Sequence, residues 1–235
     1  MELDKFEEQE KRKSSLRFQL TLFFIFFFVS IFAVFILTSV LQVSAVTRYV
    51  CSQLGMPTLN RALAALDVDS FEALSKSLDP DDPYYEAARK RLLEIKENSG
   101  CLYLYTMAQE EGTVFRYIID GSTTPDDLKN FSPIGSPEDL AEWDEAVLTT
   151  IRTKTTQLGS IDQNERWGAT ISVYSPILKP DGEMVGFVGC DIDASGVISW
   201  IKTQVFWQLG IVVFFSLAGL LAYIIIIRKT NRIFL

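Results

Sequence analysis

Two long apolar runs, one near each end of the chain, constrain it most. The first lies between about Phe18 and Ala45 and contains LTLFFIFFFVSIFAVFILTSVLQVSAV without a charge; the second, VFWQLGIVVFFSLAGLLAYIIII from Val205 to Ile227, is also uncharged. Each exceeds the roughly 20 residues that a helix needs to cross the hydrocarbon core. Both are expected to span a membrane. A cleavable signal peptide is the rival for the first run, with Ser44-Ala45 as its small-residue end. The apolar part of such a peptide runs about 7 to 15 residues, and this run is about twice as long.

The flanks set the orientation. Lys11, Arg12, Lys13 and Arg17 precede the first run and Arg228, Lys229 and Arg232 follow the second, whereas only Arg48 and Lys202 hug the inner edges. Positive residues gather on the cytoplasmic side, so both termini are expected in the cytoplasm. The expected division is a tail 1–17, a span 18–45, an extracytoplasmic domain 46–203, a span 204–227 and a tail 228–235.

The outer segment holds 14 Lys and Arg against 25 Asp and Glu. That balance argues against nucleic acid and against docking on anionic lipid, and the length suffices for one domain with a core. The chain has no histidine, and Cys51, Cys101 and Cys190 lack metal-ligand spacing, so a typical zinc site or Ser/His pair cannot be built. There is also no nucleophile elbow and no phosphate-binding glycine loop. No catalytic residue, metal or cofactor is expected. In an oxidising compartment one disulfide would leave an odd thiol; buried apolar cysteines are the alternative.

Within the outer segment, Gly55-Met56-Pro57 is the first punctuation after the first span. Helical spacing follows over Thr58 to Leu66 and Asp69 to Leu78. Asp82 as N-cap with Pro83 behind it opens a helix through Tyr85, Ala88, Leu92 and Ile95, with Arg89, Lys90, Arg91, Glu94 and Lys96 as its solvated face. The period then changes to that of strands over Leu102 to Met107 and Thr113 to Ile119. Ser136-Pro137-Glu138-Asp139 reads as a cap opening a helix through Leu140, Trp143, Val147 and Leu148. A short strand is expected near Thr155 to Leu158, and Gln163 to Arg166 as a connection. The clearest element is a hairpin: Ala169 to Leu178, the turn Lys179-Pro180-Asp181-Gly182, and Met184 to Ile192. A hairpin alone is marginal in water, so it must belong to a larger sheet.

This order, helices and then strand-strand-helix-strand-strand-strand between two spans, resembles the Cache family of bacterial extracytoplasmic sensor domains, which are related to PAS folds. The resemblance is carried by YLYTM, GTVFRYIIDG and WGATISVYSPILKPDGEMVGFVGCDID and covers about Ala45 to Thr203. It implies an α+β fold of the single-Cache type: a PAS-like five-stranded antiparallel sheet, ordered 2-1-5-4-3, with a long N-terminal helix on one face and a small-molecule pocket on the other. It further implies an amino acid, amine or carboxylate as ligand. Asp191 would accept from a ligand ammonium, Arg116 would pair with a ligand carboxylate, and Trp167, Tyr105 and Tyr174 would wall the pocket. The first and last strands would be neighbours, so Cys101 and Cys190 could be bridged. The family also implies a homodimer.

Each of these residues has a plainer reading. Asp191 and Asp193 could mark a strand end, Arg116 could be a surface residue, Tyr105 and Tyr174 could be core, and Asp120-Gly121 reads as a strand-ending turn. Alternation places Asp191 with Phe187 and Gly189 and turns Cys190 away.

The expected function is a membrane-anchored small-molecule sensor module in a bacterial plasma membrane, signalling through its second span. Its output, of chemoreceptor, histidine kinase or cyclase type, cannot reside in RKTNRIFL. That leaves a sensor portion of a longer receptor, a stand-alone sensor acting on another membrane signalling protein, or a degenerate remnant. The alternative is a ligand-free scaffold or accessory subunit that uses the outer domain as a protein-binding surface.

Overall fold

The computed structural model describes residues 2–164 and 167–233, without the side chains of 2–10, 13, 16, 164 and 230–233. In chain order the elements are α1 (Glu2–Val50), a π-helical turn (Cys51–Gly55), α2 (Met56–Ala65), α3 (Val68–Ser77), α4 (Pro83–Glu97), β1 (Tyr103–Glu111), β2 (Val114–Asp120), β3 (Pro137–Asp139), a 3-10 turn (Leu140–Glu142), α5 (Glu145–Thr153), β4 (Gln157–Asn164), β5 (Gly168–Leu178), β6 (Met184–Asp193) and α6 (Ser195–Ile233). They divide into two compact units, Ala45–Ile198 and a pairing of 1–44 with 199–235.

In the outer unit the strands form one antiparallel sheet ordered β3-β2-β1-β6-β5-β4. Leaving aside the short edge strand β3, the five long strands follow 2-1-5-4-3. That is the PAS-like order, and the fold is α+β as expected. Strand period decides which residues face where. Leu104, Ile171, Val173, Val188, Cys190 and Ile192 are buried on one face with Leu59 and Ala62 of α2, Phe71 and Leu74 of α3, and Leu92 of α4. Met107, Phe115, Tyr117, Tyr174 and Phe187 point the other way and cluster with Leu140 and Val147. Each fully buried large apolar side chain contributes roughly 1.5–3 kcal/mol, which makes the helix-covered face the main source of stability.

The helical lead-in does not stop at Gly55-Met56-Pro57. The π-helical turn that ends at Gly55 continues straight into α2. Pro57 has no N–H and its ring crowds the carbonyl one turn back, and the wider π turn falls where that bond pattern fails. Gly55 is required there by space, since a Cβ would lie 2.5 Å from Val173 of β5.

Helix α4 starts as expected, with Asp82 accepting from the Tyr84 N–H at 2.8 Å. Its charged face needs a correction. Arg89 is only 5% exposed, and its Nε and Nη2 donate to Glu86 at 2.9 and 3.1 Å. Arg89 falls one turn after Tyr85 and just short of one before Leu92, so the helical period carries its stem onto the buried stripe.

The helix expected to open at Ser136 begins later. Pro137–Asp139 instead pairs with β2, Val114 facing Asp139 and Arg116 facing Pro137, an edge position that tolerates proline. Asp139 caps the 3-10 turn through the Ala141 N–H, and Asp144 caps α5 through the Ala146 N–H, each at 2.9 Å. Three residues in this stretch are competent caps, and pairing with β2 selects among them. Strand β4 is longer than expected, with Gln163 and Asn164 paired to Ala169 and Gly168; the rest of the expected connection, 165–166, lies outside the described residues.

In the other unit α1 and α6 run antiparallel. Thr21 Oγ1 meets the Tyr223 hydroxyl at 3.0 Å, Ser39 Oγ donates to Gln208 Oε1 at 3.0 Å, and Gln208 Nε2 donates to Gln42 Oε1 at 2.8 Å. The Phe24 and Tyr223 rings meet edge-on. Both helices are long and apolar enough to cross a membrane, and exposed side chains such as Phe26 and Phe206 make their outer surface apolar.

Candidate ligand-binding site

Three adjacent strands lay the floor of a pocket on the sheet face away from α2. Asp191 on β6 stands opposite Tyr103 on β1 and Ser172 on β5, and Gly189 stands opposite Tyr105 and Tyr174. Directly opposed residues share a face, so one carboxyl, one hydroxyl and three tyrosines converge. Gly189 makes this possible: a Cβ there would lie 2.5 Å from the Tyr105 ring. The ring crosses the bare backbone and brings its hydroxyl 3.5 Å from Asp191 Oδ1.

Aromatic side chains from other elements complete the walls. Trp167 meets Tyr103 edge-on with centroids 5.3 Å apart, and Tyr105 meets Tyr117 at 5.5 Å and Trp143 at 6.2 Å. The half-open space between them is about 80 Å³. A water occupies roughly 10–15 Å³ by this measure, so there is room for a molecule of about half a dozen heavy atoms.

The polar part of the lining is acidic. Asp120, Glu138, Glu142, Asp144, Asp162 and Asp191 all border the cavity. Two of them are occupied structurally. Asp120, almost fully buried, accepts the N–H groups of Ser122 and Ser132 at 2.8 and 2.7 Å. Burial still pushes its carboxyl up, against these bonds and the nearby Arg89 charge. Asp144 accepts the Ala146 N–H together with the N–H and hydroxyl of Ser160, tying α5 to β4. Among the described residues Asp191 accepts no backbone N–H of this kind; desolvation pushes its carboxyl up to about 7, opposed by hydrogen bonds from Ser172 and Tyr105 and assisted by the charge of Asp162. Burial also holds the Tyr105 and Tyr174 hydroxyls well above their ordinary value, so these remain neutral.

Of the residues expected to form a site, the structure gathers Asp191, Tyr105, Tyr174 and Trp167. Arg116 lies apart from them. It does not border the cavity; its guanidinium donates to the Gly135 carbonyl at 2.6 Å and pairs with Glu110. The β1–β2 ladder carries a register shift between Thr106 and Met107, and Arg116 lies between Phe115 and Tyr117, which take the pocket face. Tyr103 and Ser172 are not among the expected site residues although period-2 spacing from Tyr105 and Tyr174 points to them, and Gly189, which alternation places with Asp191, lies under the Tyr105 ring. Trp143, Tyr117 and the wall carboxylates had no such signal.

Cys101 and Cys190 are buried, unbridged, and hydrogen-bonded to each other. Cys51 is also free, its thiol pushed up to about 11 by burial.

No family model and no curated protein matches this chain. Among solved structures it is similar to the ligand-binding domain of the Campylobacter jejuni chemoreceptor Tlp3 in complex with L-valine, at 14% identity over 75% of this chain and 66% of that one, with a TM-score of 0.41. It is similar also to the periplasmic sensory domain of the Campylobacter jejuni chemoreceptor Tlp1, at 12% identity, 67% and 61% coverage and a TM-score of 0.36. A third is a GAF domain of A. aeolicus nlh2, at 12% identity, 68% and 99% coverage and a TM-score of 0.33. The chain spans just under two thirds of the two chemoreceptor domains' length. Likeness this loose leaves the reading of the site to the chain's own geometry.

Proposed function

We propose that this chain is a membrane-anchored sensor module whose outer domain binds a small molecule and passes a displacement to its second apolar helix. The observation that carries this reading is Asp191: a carboxyl held near 7 inside an aromatic pocket, on a strand that leads through Ala194 into α6. A half-buried carboxyl held only by neutral hydroxyls costs stability, and a ligand that supplies a stronger partner stabilises the state it binds. A ligand that favours one position of β6 shifts the population towards it, and the helix that follows shares the change.

On this reading α1 and α6 span the membrane with both termini cytoplasmic and 46–203 outside. Their antiparallel pairing supports both termini lying on one side, and the flanking Lys and Arg favour the cytoplasmic side. Outside, Cys101 and Cys190 would give up two protons and two electrons to a thiol–disulfide oxidoreductase and become bridged. A count of free thiols in protein purified without reductant tests this, three rejecting the bridge. The module would act as a homodimer or on another membrane signalling protein.

The test is a thermal-shift screen of the full chain in nanodiscs against amines, amino acids, carboxylates, sugars and nucleobases. Stabilisation by one class, absent in Asp191→Asn, supports the reading. A folded sample that no small molecule stabilises ends it, and a protein-binding role for the outer domain takes its place.

A further inference from the structure

The pocket's walls differ from its floor in what they could bind, and the difference narrows the ligand. We infer that the site takes a small organic cation without a carboxylate, a quaternary ammonium or alkyl amine, and discriminates against the amino acid of the same skeleton. This rests on the sensor reading above and says which ligand chemistry it serves.

Three observations carry it. Tyr103, Trp167, Tyr105, Trp143, Tyr117 and Tyr174 surround the space with rings set at steep angles to one another. A cation within about 6 Å of such ring faces is attracted by their quadrupoles, and crossed rings offer several faces at once. Second, the lining has six carboxylates and, among the described residues, no lysine or arginine. Asp120 and Asp144 are consumed by hydrogen bonds, but Asp191 on the floor and the exposed Glu142 and Asp162 at the rim remain to favour positive charge. A ligand carboxylate would enter against that field, and the donors that the described lining offers it are neutral. Third, two arginines of the same domain are already engaged: Arg116 by Glu110 and the Gly135 carbonyl, Arg89 by Glu86. A metal ion is a poorer occupant, because no group of three or more carboxylates or thiols is placed to hold one among the described residues.

Asp191 supplies a supporting signature. It is faced by Tyr103 and Tyr105 from β1, Ser172 and Tyr174 from β5, Asp162 from β4 and Asp120 from β2, and its carboxyl stands at about 7. A bound cation favours the ionised form, so affinity for a permanently charged ligand rises as pH rises through about 7.

The experiment is titration calorimetry on the full chain in nanodiscs with matched pairs: choline against glycine betaine, and putrescine against ornithine, with calcium chloride as a third probe. The expected result is at least tenfold tighter binding of choline or putrescine than of its carboxylate-bearing counterpart. Choline affinity should rise from pH 6 to pH 8, and Asp191→Asn should weaken it tenfold or more and flatten that rise. Trp143→Leu is the second variant and should weaken choline without altering the pH profile. Equal or tighter binding of betaine and ornithine overturns the inference and leaves the sensor reading standing. Calcium binding without organic-cation binding overturns it in favour of a metal site. No binding by any of these probes overturns it as well, and the sensor reading falls with it only if the broader screen is also blank.

Discussion

The two faces of the sheet are made from the same strands and do opposite work. On the helix-covered face, Leu104, Val173, Val188 and Ile192 pack with the apolar side chains of α2, α3 and α4 into one core. On the other, Tyr105, Tyr174, Ser172 and Asp191 line a space that the chain leaves unfilled. Neighbours in sequence therefore face opposite ways: Cys190 packs in the core and Asp191 borders the cavity. Two carboxylates repeat the contrast on a smaller scale. Buried Asp120 is tied by two backbone N–H groups, whereas half-buried Asp191 is held, among the described residues, by side-chain hydroxyls. Apolar burial is concentrated on one face, and the polar groups around a cavity on the other.

The largest effect should come from the sealed face. Leu104→Ala removes a fully buried side chain and should cost about 2–5 kcal/mol, read as the shift in denaturant midpoint. A loss as small as that of a surface mutation would mean the helix face is not the main core. Next is Gly189→Ala, which forces the Tyr105 ring off the floor. Overpacking of this kind costs roughly 1–3 kcal/mol, and binding should fall with it; unchanged binding would mean Tyr105 plays no part.

Asp191→Asn should move stability the other way. Because the folded carboxyl is held at about 7, the native state keeps a proton that the unfolded chain gives up at its ordinary value. The stability this contributes is full below that value and lost as pH rises to about 7, at about 1.4 kcal/mol per unit of displacement. The amide variant escapes the loss, so its melting temperature relative to wild type should be higher at pH 8 and should lose that advantage by pH 4. Parallel curves would show that Asp191 titrates normally. The smallest effect is expected from Arg116→Ala, which breaks a partly exposed pair worth about 0–1 kcal/mol and should leave ligand affinity unchanged; weaker binding would return Arg116 to the site.

Much of this contrast is legible in the strands. The alternation of YLYTM and of ISVYS places every second residue together, and the hairpin turn behaves as its residues require, with Gly182 at φ +85° and its N–H bonded to the Lys179 carbonyl at 2.9 Å. The site is legible only as far as that period reaches. Trp143 read as an apolar position of a helix, and it sits instead in the turn before α5, where Asp144 caps the helix and holds Ser160 of β4. Arg89 read as solvated because its charge outweighed its place in the period, and Glu86 makes its burial tolerable.

By itself, then, the sequence determined the two apolar helices, the capped α4, the hairpin and the placing of Cys190 and Asp191 on opposite faces. These follow from local periods and caps, which act within a few residues. Only the tertiary structure decided that Asp120, Asp144 and Asp162 gather around Asp191, that Arg116 turns away, and that Tyr105 crosses Gly189. Those outcomes depend on burial and on pairing between segments far apart in the chain, where the free energy of a charged group is set by neighbours that no local pattern names.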